Sequence, residues 1–174
     1  MSSAVTRNGN DEIYTPLWLA EKVVRHFKPY GQVLEPCAGK KGSQAFVKAL
    51  HDLQKRGSSL RSVSWMEIQE GFDFLESPAS PFNKYDWIIT NPPFSKFRPF
   101  LQKSLKLADN VVFLCPNNHV TGLKARMRDI DDHGFYVREI RYLQETPKEF
   151  PASGFLWAAH LLTKEKGPCI IDML

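Results

Sequence analysis

The sequence predicts an α/β protein with helices around a mainly parallel sheet, and three observations predict it. Short apolar runs alternate with amphipathic helical patterns along most of the chain. A glycine turn joins the first run to a helix, and consecutive prolines stop a later run abruptly. The last two runs have no helix between them, so they are expected to pair antiparallel. At 174 residues, with 43% hydrophobic and 24% charged positions, the chain reads as one water-soluble domain. It is long enough to bury roughly 70% of its unfolded surface, which excludes disordered, collagenous and disulfide-stapled classes.

Residues 1–12 read as a flexible tail, polar and Gly/Asn-containing through Asp11, and structure starts near Ile13. From Pro16 to Phe27, the positions Leu17, Ala20, Val23, Val24 and Phe27 recur at helical spacing, with Thr15 as N-cap and Pro16 at the first helical position. Gln32 to Pro36 is a strand leading into the turn Ala38-Gly39-Lys40-Lys41-Gly42, and a helix follows through Ala45, Phe46, Ala49, Leu50 and Leu53. Ser62 to Ile68 is a second β pattern, Phe72 to Leu75 a third apolar patch, and Glu76 to Lys84 a proline-containing loop. Asp86 to Thr90 is an apolar strand that stops at Asn91-Pro92-Pro93. A helix over Phe97 to Leu107, a strand over Val111 to Leu114, a helix over Leu123 to Ile130, and β runs over Tyr136 to Leu143 and Phe155 to Thr163 complete the pattern.

No apolar run approaches the roughly 20 residues that span a bilayer, and the N-terminus lacks the apolar stretch of a signal peptide, so a cytoplasmic protein with no membrane partner is expected. Cys37, Cys115 and Cys169 are irregularly spaced with no C-x-x-C pair, which argues for reduced thiols and no bound metal. The net charge of +4 favours a polyanionic partner without identifying one.

Ligands of open α/β sheets sit beyond the carboxyl ends of the strands, so the residues just after each run matter most. Here they are Glu35, Pro36 and Gly39, then Glu67, then Asp73, then Asn91 to Phe94. A glycine turn feeding a helix lets backbone amides approach a ligand, and an acid at the next strand end can take both hydroxyls of a ribose. The order suggests a nucleoside-bearing cofactor. Neither the dinucleotide fingerprint nor a phosphate-binding P-loop is present. In Asn91-Pro92-Pro93-Phe94 the prolines fix the backbone and leave the Asn91 carboxamide and the Pro92 carbonyl as preset acceptors. Two acceptors on an exocyclic amine favour the tetrahedral nitrogen that attacks an electrophile, and Phe94 offers a face for a planar ring.

On these residues the chain resembles the S-adenosylmethionine-dependent amino-methyltransferases, and most closely the small DNA adenine-N6 methyltransferases of phages and bacteria. The family's Asn/Asp-Pro-Pro-Tyr/Phe motif is matched by Asn91-Pro92-Pro93-Phe94 and its cofactor turn by Glu35-Pro36-Cys37-Ala38-Gly39. The ribose-binding acid is matched by Glu67, followed by Ile68, and the adenine-binding Asp by Asp73-Phe74. The N-terminal motif that reaches the methionine end of the cofactor is matched by Tyr14-Thr15-Pro16. The resemblance covers the chain from Tyr14 onward and implies a single-domain Rossmann-like class I methyltransferase. Its sheet would have seven strands, mostly parallel with an antiparallel final strand, and helices on both faces. Residues 13–174 would form the catalytic domain, with no separate target-recognition domain. Lys41 stands where the family usually has a second glycine; it either pairs with the cofactor carboxylate or points to solvent.

The implied reaction is methyl transfer from S-adenosylmethionine to the N6 of adenine in DNA. Adenine in RNA, a protein glutamine, and a cofactor-binding subunit without turnover stay open beside it. A partner subunit or a second copy could supply target recognition. Lys96, Arg98, Lys124, Arg126 and Arg128 are either phosphate contacts or a solvated surface. His119 reads as structural rather than as a base, and Phe150 to Gly154 as a hairpin connection that could also border the target base.

Overall fold

Five apolar side chains at helical spacing, Leu19, Ala20, Val23, Val24 and Phe27, are buried along one face of Leu17–Phe27 and make it α1. The computed structural model describes residues 12–78, 84–151 and 154–174; the expected tail through Asp11 and part of the proline loop lie outside the described residues. The helix start falls one residue later than the sequence suggests. Pro16 occupies the cap position with extended backbone, and its carbonyl accepts from the amides of Leu19 and Ala20 at 3.1 Å each. Thr15 does not cap, because its hydroxyl accepts from Asn91 instead.

The remaining elements are β1 (Gly31–Glu35), α2 (Ala45–Lys55), β2 (Leu60–Trp65), β3 (Tyr85–Thr90), α3 (Phe97–Leu107), β4 (Ala108–Pro116), α4 (Asn118–Thr121), α5 (Lys124–Asp132), β5 (Tyr136–Tyr142), β6 (Trp157–Thr163) and β7 (Ile170–Met173). They build one seven-stranded sheet in the order β2-β1-β3-β4-β6-β5-β7. β1 to β4 pair in parallel, and β6 runs antiparallel to both β4 and β5. The expected antiparallel pairing of the last two β runs is therefore present. A strand the sequence reading did not contain, β7, follows them and pairs in parallel with β5 at the sheet edge.

Burial follows position in the sheet. All seven residues of β6 are buried, and β4 is buried apart from Asp109, as suits strands covered on both faces. The edge strand β7 is exposed throughout. Two polar side chains within the central strands pair, since Thr163 Oγ1 donates to Asn110 Oδ1 at 2.7 Å and Asn110 Nδ2 donates to the Asp86 carbonyl at 3.1 Å, whereas the indole nitrogens of Trp87 and Trp157 are buried without a hydrogen-bond partner among the described residues. One core sandwiches α1 and α2 on the sheet through Val33, Ile89, Val112, Leu114 and Leu161. The other packs α3 and α5 on the opposite face through Leu34, Ile88, Val111, Phe113 and Leu162. Helices thus cover both faces.

Two expected β segments end differently. The Ser62 to Ile68 run leaves the strand at Trp65, and Glu67 then caps a single 3-10 turn over Ile68–Glu70. The Phe72 to Leu75 patch is a turn: the Asp73 carboxylate accepts from the Leu75 amide at 2.8 Å, and Phe74 plugs the core against Phe100, ring centroids 5.0 Å apart. No helix among the described residues is long and apolar enough to cross a membrane.

Candidate active site

Beyond the carboxyl ends of β1, β2 and β3 lies a cavity of about 300 Å³. Four stretches bring the residues expected from the sequence to its walls. The turn after β1 supplies Glu35 to Gly39, the segment after β2 supplies Glu67, Ile68, Asp73 and Phe74, the end of β3 supplies Asn91 and Pro93, and the stretch before α1 supplies Tyr14 and Thr15. The structure therefore brings together thirteen residues picked out from sequence. Three are not in the walls. Pro16 caps α1, Pro92 is buried beneath, and the Phe94 ring stacks on His119 with centroids 4.6 Å apart and packs on Trp157 at 5.5 Å.

The turn after β1 is held by carboxylates. Glu35 accepts from the Cys37 amide at 2.8 Å, Glu67 from Gly39 at 2.7 Å, and Glu70 from Lys41 at 3.2 Å, so alternate amides of the turn each meet an acid. Gly39 has φ +79°, and a Cβ there would sit 2.5 Å from Ser43 Oγ and 3.2 Å from the Tyr14 ring, so both backbone and space require glycine. Glu35 is 1% exposed. Burial pushes its carboxyl up to about 8, opposed by the Cys37 amide and reinforced by the Glu67 charge. Burial and the neighbouring Glu35 also raise the Cys37 thiol. Lys41 is exposed and outside the cavity walls, which favours its solvent-facing reading.

Asn91 is oriented by its neighbours. Its Nδ2 donates to the Ile13 carbonyl at 3.4 Å and to Thr15 Oγ1 at 3.3 Å. A carbonyl can only accept, so the amide nitrogen must face Ile13, and Oδ1 is left as the acceptor of that side chain. The stretch before α1 is tied down a second time where Gln69 Nε2 donates to Glu12 Oε1 at 3.2 Å.

Several wall residues escaped the sequence reading. Ser43, Gln44, Ala45 and Phe46 bring the start of α2 to the cavity, and Glu12, Ile13, Gln69, Ser95 and Phe100 also line it, together with Lys96, which the sequence offered only as a phosphate contact or a solvated residue. The first group had a signal, since a turn feeding a helix places that helix start against whatever the turn holds. Among the basic candidates, Arg98 is engaged with Asp129 through two hydrogen bonds of 2.7 and 3.0 Å. Arg126 donates to the His119 carbonyl at 2.6 Å and lies over the Phe97 ring. His119 lies outside the cavity walls, between Phe94 and Phe97.

No family model and no curated protein matches the chain. Solved structures do. The modification subunit assigned to a type I restriction enzyme from Vibrio vulnificus YJ016 superposes with a TM-score of 0.66 at 17% identity, over 95% of this chain and 48% of that one. The methyltransferase subunit of a type I restriction-modification system from Streptococcus thermophilus gives 0.58 at 12% identity, over 92% and 47%. The M protein of the type I restriction enzyme EcoKI gives 0.52 at 15%, over 89% and 44%. The chain thus spans about half the length of these subunits. At such identities the likeness establishes the fold, a Rossmann-like α/β sheet shared with methyltransferase subunits.

Proposed function

We propose that the chain is an S-adenosylmethionine-dependent DNA methyltransferase acting on the N6 of adenine, with residues 13–174 as its catalytic domain. The observation that carries the reading is Asn91, a wall residue of the same cavity as Glu35, Glu67 and Asp73, whose amide nitrogen is held by Ile13 and Thr15 so that its oxygen is left to accept. The residues present fit the cofactor. At Gly39 a Cβ would meet Ser43 and Tyr14, so the turn passes close to the cavity only as glycine, Glu67 is the acid that would accept from ribose hydroxyls, and Asp73 and Ile68 line the same cavity as a polar and an apolar group for an adenine ring. Tyr14 and Thr15 close the opposite end, beside Asn91. When bound, S-adenosylmethionine supplies an activated methyl group on a sulfonium.

The chain's own part is to position the acceptor. Asn91 Oδ1 and the Pro92 carbonyl accept from the two hydrogens of the exocyclic amine, which localises the nitrogen lone pair for attack. The amine proton released afterwards passes to water, so no side-chain base is required. In this reading the base packs beside Phe94, whose ring His119 and Trp157 already hold. The fold likeness to type I modification subunits supports DNA as the substrate, and the solved assembly of a type I system supports a partner subunit for target recognition.

The test is transfer of labelled methyl to unmethylated DNA by wild type and Asn91→Ala, with nucleoside analysis of the product. The variant should lose about 10² to 10³ in rate, roughly 3 to 4 kcal/mol, while cofactor affinity stays within a few-fold. Loss of affinity as large as the loss of rate would show that Asn91 serves the cofactor instead. Label in RNA or protein alone would replace the substrate.

A further inference from the structure

His160 takes no part in the proposed reaction, yet it is fully buried on β6 and bonded to the turn that follows β4. Its Nε2 lies 3.0 Å from Asn117 Oδ1, and its Nδ1 lies 3.2 Å from the Phe113 carbonyl and 3.7 Å from Cys115 Sγ. Burial pushes the imidazole down to about 4, so near neutral pH the ring is uncharged and carries one hydrogen. With that hydrogen on Nε2 the ring donates to Asn117, and the Cys115 thiol, kept protonated by burial, donates to Nδ1.

Strand β6 grips Asn117 twice, through His160 and through the Leu156 carbonyl, which accepts from the Asn117 amide at 2.8 Å. The Asn117 carbonyl in turn accepts from the amides of Val120 and Thr121 at 3.2 and 3.1 Å, so this residue begins α4. Two residues on, the His119 ring stacks on Phe94 with centroids 4.6 Å and planes 28° apart. Trp157, three residues before His160 on β6, packs on Phe94 as well, at 5.5 Å. Neither residues 117–119 nor His160 lines the cavity assigned to the cofactor. Whatever His160 fixes is therefore felt at Phe94 and not at Glu35, Glu67 or Asp73.

We infer that His160 is a positioning residue for the proposed transfer: its hydrogen bond to Asn117 fixes the 117–119 turn, and through the His119 ring it sets the plane of Phe94 beside which the acceptor base packs. The inference rests on the base-methylating reading. It concerns the acceptor side of that site, where a displacement of about 1 Å can cost up to about a hundredfold in rate.

The experiment compares wild type with His160→Leu, Asn117→Ala and the double variant, which break the same bond from either side, and with His160→Gln, whose amide can still donate to Asn117. Asn117 is only half-buried, so its variant tests the bond even if the buried leucine prevents folding. At saturating cofactor and DNA, each single variant should lose about tenfold in turnover while cofactor Kd stays within about twofold, and His160→Gln should recover to within about threefold of wild type. The double variant should fall no more than about twofold below the worse single one, because both remove one interaction. A second readout needs no turnover. The Phe94 ring should hold the His119 ring protons upfield of their free-histidine positions; both single variants should move them toward those positions, and His160→Gln should restore them. Unmoved His119 signals, losses that multiply in the double variant, or cofactor affinity falling as far as turnover each overturn the positioning role. A wild type that methylates no DNA while the His119 signals move as expected overturns the base-methylating reading, and with it the role in transfer, but not the link from His160 to Phe94.

Discussion

Replacing Glu35 by glutamine should flatten the pH dependence of stability between pH 5.5 and 8. The carboxyl is 1% exposed, takes one backbone amide, and has burial as the main cause of its rise from 4.5 to about 8. The folded chain therefore keeps a proton that the unfolded chain has lost, so stability falls as pH rises from about 4.5 to 8 and the loss is complete above that. A separation of about 3.5 at about 1.4 kcal/mol for each step gives a full effect of about 5 kcal/mol. At pH 5.5 the unfolded chain is already largely ionised there, which leaves about 3 kcal/mol to be lost between pH 5.5 and 8. Glutamine keeps the shape and cannot ionise. Urea unfolding of both ligand-free proteins at the two pH values isolates the effect, because titrations common to both cancel in the double difference. Wild type should lose about 3 kcal/mol more than Glu35→Gln on going to pH 8. Parallel profiles, within about 0.5 kcal/mol, would refute a proton held at Glu35.

Two further outcomes follow from the same geometry. Gly39→Ala should cost about 1 to 3 kcal/mol in urea unfolding, since it forces an L side chain to φ +79° against Ser43, and it should weaken cofactor binding more than a matched Gly57→Ala at φ +82°, where a Cβ meets nothing. His160, fully buried between Phe113 and Asn117, is pushed down to about 4 by burial, partly offset by the Phe113 carbonyl. Stability associated with it is present above pH 6.5 and lost as pH falls toward 4; its ring proton resonances should therefore stay unchanged at pH 6 and move only near pH 4.

The site was more legible than the contacts that hold it. Glu35, Gly39, Glu67, Asp73 and Asn91 could be found because strand ends in such a sheet face one edge, and their order along the chain carries that information. Side chains pairing across long separations were not legible. Thr15 has an N-cap's chemistry, but an amide 76 residues away claims its hydroxyl. Arg98 has the look of a phosphate contact and is bound by Asp129, 31 residues on. Phe72 to Leu75 is apolar enough for a strand, and only the location of Phe100 decides that Phe74 is buried from a turn. The edge strand β7 was missed because Pro168 precedes it and its side chains are exposed, so it shows no alternation of buried and open faces.

The placement of β6 between β4 and β5 has a consequence for how the chain assembles as it is synthesised. β5 pairs only with β6 and β7, both made after it, so Tyr136–Tyr142 leaves the ribosome with no partner and must wait for Trp157–Thr163 to dock on β4 first. By contrast, every wall residue of the cavity lies between Glu12 and Phe100, and the strands that carry it, β1, β2 and β3, pair among themselves. The pocket can therefore form early, on a nascent four-stranded sheet whose β4 edge stays open until Trp157–Thr163 arrives. Premature termination after β5 would leave that edge bare, and the resulting fragment would be prone to pair with another copy of itself.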